Sequence, residues 1–121
     1  PFTPRITVYI IDALPYNSKP LTLRCQSKDD DLGYKTFHPT EEFNFSFNEN
    51  FFGGTLFFCH FWWNGKDKAF VVYNDDIHTY CGLVYPPSEH DYECYWKVQE
   101  DGFYFGEYRN PPPIYEKKHD W

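Results

Sequence analysis

The feature that most limits what this chain can fold into is a two-residue hydrophobic alternation repeated in short runs. In "RITVYII", Ile6, Val8 and Ile10 share one side; in "LTLRC", Leu21, Leu23 and Cys25 do, with Thr22 and Arg24 opposite. "EFNFSF" sets Phe43, Phe45 and Phe47 against Asn44 and Ser46, and "YECYWKV" sets Tyr92, Cys94, Trp96 and Val98 against Glu93, Tyr95 and Lys97. Neighbouring side chains on an extended strand point to opposite faces, so this period specifies strands with one apolar face. "DKAFVVY", "GFYFGEY" and a weaker "YKTFH" add further strands, and no segment sustains a helical period. "TLFFCHFWW" is apolar on both sides, which suits a central strand or one presenting an outward aromatic patch.

Between the runs lie turn signals: "LPYNSKP", "DDDLG", "NFFGG", "WNGKD", "YNDD", "VYPPSEH" and "EDG". Asn64–Gly65 and Asp101–Gly102 are hairpin dipeptides. Short strands at regular spacing predict an all-β fold, an antiparallel β-sandwich of about eight strands. Residues 1–108 read as this single domain. Residues 109–121, "RNPPPIYEKKHDW", read as a flexible Pro-rich tail, because proline cannot donate to a strand ladder. Aromatic residues make up 23% of the 121 residues, a bias that favours pleated surfaces.

Charge narrows the function classes. The formal net charge is −7 and the 11 basic residues are scattered, so neither nucleic acid nor an anionic membrane surface is an expected partner. No apolar run approaches the roughly 20 residues that span a bilayer, so membrane insertion is not expected. "PFTPRITVYI" reads as the processed start of a secreted precursor. The four cysteines, Cys25, Cys59, Cys81 and Cys94, form no C-x-x-C pair, which speaks against zinc; their even number predicts two disulfides in an oxidising compartment. Four cysteines allow three pairings; the expectation is Cys25–Cys94 with Cys59–Cys81, although the residues do not by themselves choose.

Chemistry finds little purchase. Asp29, Asp30 and Asp31 are adjacent, and adjacent side chains of an extended segment diverge, so a solvated turn is expected rather than a cation site or paired catalytic acids. The five histidines lack zinc spacing, and His60 beside Cys59 faces the opposite side of its strand. No catalytic residue, metal ligand or cofactor site is expected. Asn44-Phe45-Ser46 is an N-glycosylation sequon on an outward face, so Asn44 is a candidate glycan site. Tyr95, Trp62 and Tyr104, on outward or ambiguous faces, leave an alternative reading as an extracellular carbohydrate-binding protein.

Several segments taken in order resemble one known family: "ITVYIID", "LTLRCQSKDDDLG", "FNFSFNENFFGGTLFFCHFWW" and "CYWKVQEDGFYF". The cysteine followed by Ser-Lys, acidic residues and Leu-Gly, and the cysteine two residues before a tryptophan, resemble the plant self-incompatibility S1 family, the S-protein homologues. The resemblance runs from Arg5 to Phe105. It implies a small secreted plant protein with a disulfide-bonded β-sandwich, related to pollen-rejection ligands and carrying no catalytic residues. The expected activity is that of a signalling ligand, a monomer recognised by a cell-surface protein receptor. Loops on a rigid scaffold are where recognition concentrates. The expected contact residues are therefore Ser27, Lys28, Asp29, Asp30 and Asp31; Asn64, Lys66, Asp67 and Lys68; Asp75, Asp76 and His78; and Glu89 with His90.

Overall fold

The structure is a computed structural model that describes residues 3–84, 91–108 and 112–121. Its elements are β1 (Arg5–Asp12), β2 (Leu21–Gln26), β3 (Asp31–Phe37), β4 (Glu42–Asn48), β5 (Phe57–Trp63), β6 (Lys66–Tyr73), a one-turn helix α1 (Asp75–His78), β7 (Gly82–Leu83), β8 (Asp91–Gln99), β9 (Gly102–Glu107) and β10 (Ile114–His119). One sheet runs β10-β9-β8-β1-β4 with β7 added on β8, and the other runs β3-β2-β5-β6. The sandwich is as expected, with one difference: β1 and β8 pair in parallel, while the other ladders are antiparallel.

The alternation becomes the core directly. Ile6, Val8, Ile10, Leu21, Leu23, Cys25, Cys59, Phe61, Cys94, Val98 and Phe103 are fully buried between the sheets. β5 lies inside its sheet, so its inner residues Phe57, Cys59, Phe61 and Trp63 are buried while Phe58, His60 and Trp62 look outward. The two sheets are tied by Trp96 of β8, whose Nε1 donates to the carbonyl of Val72 of β6 at 3.0 Å.

The disulfide expectation is corrected. The bonds are Cys25–Cys59 and Cys81–Cys94. Cys25 and Cys59 face each other across the β2–β5 ladder with their Cα atoms 4.1 Å apart. Cys94 belongs to the opposite sheet, and packed sheets stand about 10 Å apart, beyond the roughly 7 Å that a disulfide can bridge between Cα atoms. Cys81 reaches Cys94 because β7, immediately after it, pairs with β8.

The flexible-tail expectation is corrected as well. Beyond residues 109–111, which lie outside the described residues, Ile114–His119 forms the edge strand β10 on β9. The prolines precede the strand, whose ladder runs in register from Ile114 to Lys117 and shifts before His119. Trp121 then closes one side of the core: its ring lies 4.5 Å from Phe103 and 5.8 Å from Trp63, and its Nε1 donates to the Gln99 carbonyl at 2.8 Å. Gly102 makes this close approach possible. Its φ is +151°, and a Cβ there would sit 2.3 Å from the His119 carbonyl oxygen.

Candidate interaction site

Three connections meet at one end of the sandwich. β2 ends at Gln26 beside Phe58 at the start of β5, and Phe57 pairs with Tyr73 at the end of β6. The β2–β3 turn, the β4–β5 loop and α1 therefore emerge side by side, and the first two flank a shallow cleft of about 210 Å³ lined by Ser27, Asp29, Asn48, Asn50 and Leu56 among others.

The β2–β3 turn is tight. Ser27 N–H donates to the Asp30 carbonyl at 2.8 Å and Asp30 N–H donates to Ser27 Oγ at 3.1 Å. Asp31 leaves the aspartate trio to open β3. Arg24 holds both of its carboxylate oxygens, and Gly33 N–H donates to its Oδ1 at 2.9 Å. Gly33 has φ +76°, where a glycine carries the bend at the head of the strand. The Arg24 hydrogen bonds, followed by that of Gly33, pull the Asp31 carboxyl down to about 2 from 3.8. A depressed carboxylate stabilises the fold above its unfolded value and loses that contribution as pH falls through its folded value. Melting temperature is expected to fall between about pH 4 and pH 2, with a shallower decline in Asp31→Asn; parallel profiles would contradict this assignment.

The β4–β5 loop is pinned from two sides. Asn50 N–H donates to Thr55 Oγ1 at 2.7 Å, and Gly54 N–H donates to Asp75 Oδ2 of α1 at 3.0 Å. Asn74 caps α1, its Oδ1 accepting from Ile77 N–H at 2.7 Å. Beneath, the buried Tyr73 hydroxyl donates to the Glu49 carboxylate and lies 2.8 Å from His78 Nδ1, which is 3.2 Å from Glu49. Burial, then the Glu49 contact, pushes the Tyr73 phenol well above its ordinary range, so it stays a donor at physiological pH. This clamp joins the end of β4, the end of β6 and α1.

What the pinned loop presents is Phe51 and Phe52. They are 65% and 95% exposed, with ring centroids 4.9 Å apart in an edge-on arrangement. Asp29, Asp30, Asp75 and Asp76 stand exposed on the neighbouring connections. The result is an apolar tip on an acidic end. In the sequence "NFFGG" has the character of a turn, and the signal for both phenylalanines is two large apolar residues where turn chemistry wants small polar ones.

The expected contact residues therefore divide. Ser27–Asp30 and Asp75–His78 come together at this end, Asp31 turning into its Arg24 pair. Asn64–Lys68 lies at the opposite end, where Asn64 and Gly65, both at positive φ, turn β5 into β6. There Lys66 sits 5.6 Å over the Trp63 ring and Asp67 Oδ2 is 2.8 Å from His60 Nε2. Glu89 and His90 lie outside the described residues.

The carbohydrate alternative is not supported, and the side chains it would use make contacts within the chain. Trp62 is covered on one face by the His60 ring at 3.9 Å. Tyr95 stacks on Tyr9 at 4.9 Å, and their hydroxyls both donate to Glu93. Burial followed by this hydrogen bond pushes the Tyr9 phenol up to about 12. Tyr104 is held by Asp101, to which its hydroxyl donates at 2.7 Å. Among the described residues, no group of three or more His, Cys, Asp or Glu side chains is arranged to hold a metal ion.

Comparison with known proteins agrees with the fold. A family model described as plant self-incompatibility protein S1 matches residues 7–121, including the C-terminal segment that the sequence reading set apart. S-protein homolog 3 of Arabidopsis thaliana is 44% identical over 101 residues, covering 81% of this chain and 59% of that protein. S-protein homolog 2 of the same plant is 42% identical over 86 residues, 71% of this chain and 51% of that protein. The chain thus spans little more than half the length of these relatives. Self-incompatibility protein S1 of Papaver rhoeas is 32% identical over 103 residues, 85% of this chain and 69% of that protein. A solved structure of SPH (self-incompatibility protein homologue) proteins, described as a widespread family of small, highly stable, secreted proteins from plants, superimposes with a TM-score of 0.63 over 97% of both chains at 16% identity. At that identity the likeness speaks for the fold. With the S1 model matching from the first strand to Trp121, and both disulfides holding a two-sheet sandwich, the chain belongs to the plant self-incompatibility protein S1 family.

Proposed function

We propose that this chain is a ligand that docks its acidic, phenylalanine-tipped end onto a cell-surface protein receptor and acts by binding, without catalysis. The chain is a secreted protein; its family membership and its two disulfides suit an oxidising extracellular setting. The observation that carries the receptor reading is the Phe51–Phe52 pair, exposed on a loop held by Asp75 and by the Glu49–Tyr73–His78 clamp. Large aromatics held rigidly in solvent gain most when a partner buries them, and such anchors dominate interface energies. The surrounding aspartates and the net charge of −7 select a receptor with an apolar slot and a basic rim. Its association should slow as salt rises.

The test is saturable, protease-sensitive binding of tagged, oxidised protein to plant cell surfaces. Phe51→Ser with Phe52→Ser is expected to weaken binding at least about 100-fold, the loss of roughly two anchor side chains, while leaving the melting temperature within a few degrees. Unchanged binding by a folded double variant would remove this end of the sandwich from the interface.

A further inference from the structure

Among the described residues, four long strands end the two sheets, β10 and β4 in one and β3 and β6 in the other, beside the two-residue β7 on β8. An open strand edge invites pairing with another chain unless charge, irregularity or a cover blocks it. β10 carries Glu116, Lys117 and Lys118, and β6 carries Lys66, Asp67 and Lys68. β3 carries Asp31 and Lys35, and its register shifts beside Gly33. β4 is different. Its sequence EFNFSFN has three phenylalanines and one charge, and it pairs with β1 without a shift from Glu42 to Asn48.

The backbone of β4 shows which residues face outward. At the two ends of this ladder, Asp12 N–H donates to the Glu41 carbonyl and Glu49 N–H donates to the Pro4 carbonyl. Antiparallel pairs alternate between bonded and non-bonded, so the bonded residues of β4 are Phe43, Phe45 and Phe47. Glu42, Asn44, Ser46 and Asn48 direct their N–H and C=O groups to the open edge. Asn44 stands at the middle of that edge, with its side chain exposed on the outer face.

Asn44 and Ser46 complete the acceptor sequon N-F-S. The Asn44 Nδ2 donates to Glu42 Oε2 at 3.1 Å, and Ser46 Oγ lies 2.8 Å from Thr7 Oγ1. Both side chains are accessible and make only exposed contacts.

We propose that Asn44 carries an N-linked glycan that covers the open edge of β4 and keeps the sandwich from pairing edge to edge with a second copy. This rests on the reading of the chain as secreted and does not depend on the Phe51–Phe52 surface. In the modification, Asn44 Nδ2 attacks C1 of an oligosaccharide borne on a polyisoprenyl diphosphate. A C–N bond replaces the C1–O bond, the lipid diphosphate leaves with that bond's electron pair, and one amide proton passes to base. Among the described residues, the bulky, hydrated sugar then stands beside the long edge strand that carries the least charge, and a neutral glycan does so without changing the charge of the acidic end.

The experiment expresses the chain behind a cleavable secretory leader in plant cells and maps exported protein by peptide mass, with Asn44→Gln, Ser46→Ala and Ser46→Thr alongside. The wild type and Ser46→Thr are expected to carry hexose and N-acetylhexosamine mass on the Asn44 peptide, and the other two none. An unmodified Asn44 in exported wild-type protein overturns the site. Sedimentation at tens of micromolar is then expected to show glycosylated protein as a monomer, and both the enzymatically deglycosylated protein and Asn44→Gln shifted toward dimers or larger species. A monomeric deglycosylated protein overturns the edge-covering role. Cell-surface binding by Asn44→Gln, assayed in the same preparations, separates failure here from failure of the Phe51–Phe52 reading.

Discussion

Ending the chain before Ile114 is expected to lower the melting temperature by on the order of 10–20 °C, an effect a flexible tail could not have. The shortened protein loses β10 and with it the ring stack of His119 on Phe70 at 4.1 Å. The contact of Lys97 over Tyr115 at 4.2 Å and the Trp121 cover on Phe103 also disappear. Phe103 and Phe105, now buried, would meet water, and β9 would become an exposed edge. Removing one large buried aromatic costs about 3–5 kcal/mol, and about 1 kcal/mol moves a chain of this size by several degrees. Trp121→Ala alone should reproduce part of the loss, since its indole also satisfies the Gln99 carbonyl. Denaturant unfolding of the three proteins checks this; a truncation within about 0.5 kcal/mol of the full chain would mean β10 contributes nothing.

The second large effect is expected from the cross-strand bond. Cys25→Ala with Cys59→Ala opens a closure between residues 34 apart in sequence, worth about 4 kcal/mol in the chain-entropy account. Cys81→Ala with Cys94→Ala opens one of 13, worth about 3 kcal/mol. The order is the informative part, since both pairs leave small voids: the β2–β5 bond should matter more. Non-reducing peptide mapping provides an independent check, and a peptide joining Cys25 to Cys94 would overturn the pairing.

The strands were legible because burial in a two-layer sandwich and side-chain alternation are the same constraint. Ile6, Val8 and Ile10, or Cys94, Trp96 and Val98, could point inward only together, so reading one fixes the rest. The pairing of strands was not legible in this way. Phe43, Phe45 and Phe47 would suit either sheet, and nothing local to Cys25 distinguishes Cys59 from Cys94 as its partner. The tail misled for a related reason: its prolines describe the chain before β10, whereas the strand is held by Phe70, Phe103 and Gln99, distant in sequence.

The candidate site divides along the same line. The Ser27–Asp30 turn and the cap of α1 come from residues within a few positions of each other, so their loops could be named from the chain alone. That these loops share one end, and that Asp31 is taken by Arg24, depends on which strands lie side by side. The exposure of Phe51 and Phe52 depends on Asp75, Glu49, Tyr73 and His78 meeting beneath them. Local sequence, through the two-residue period, turn chemistry and an even number of cysteines, determined that this protein is a disulfide-bonded β-sandwich. Only the tertiary structure decided which cysteines bond, which edge is open and which aromatics are left in water, because each follows from strand order, and strand order is set by contacts summed over the whole core.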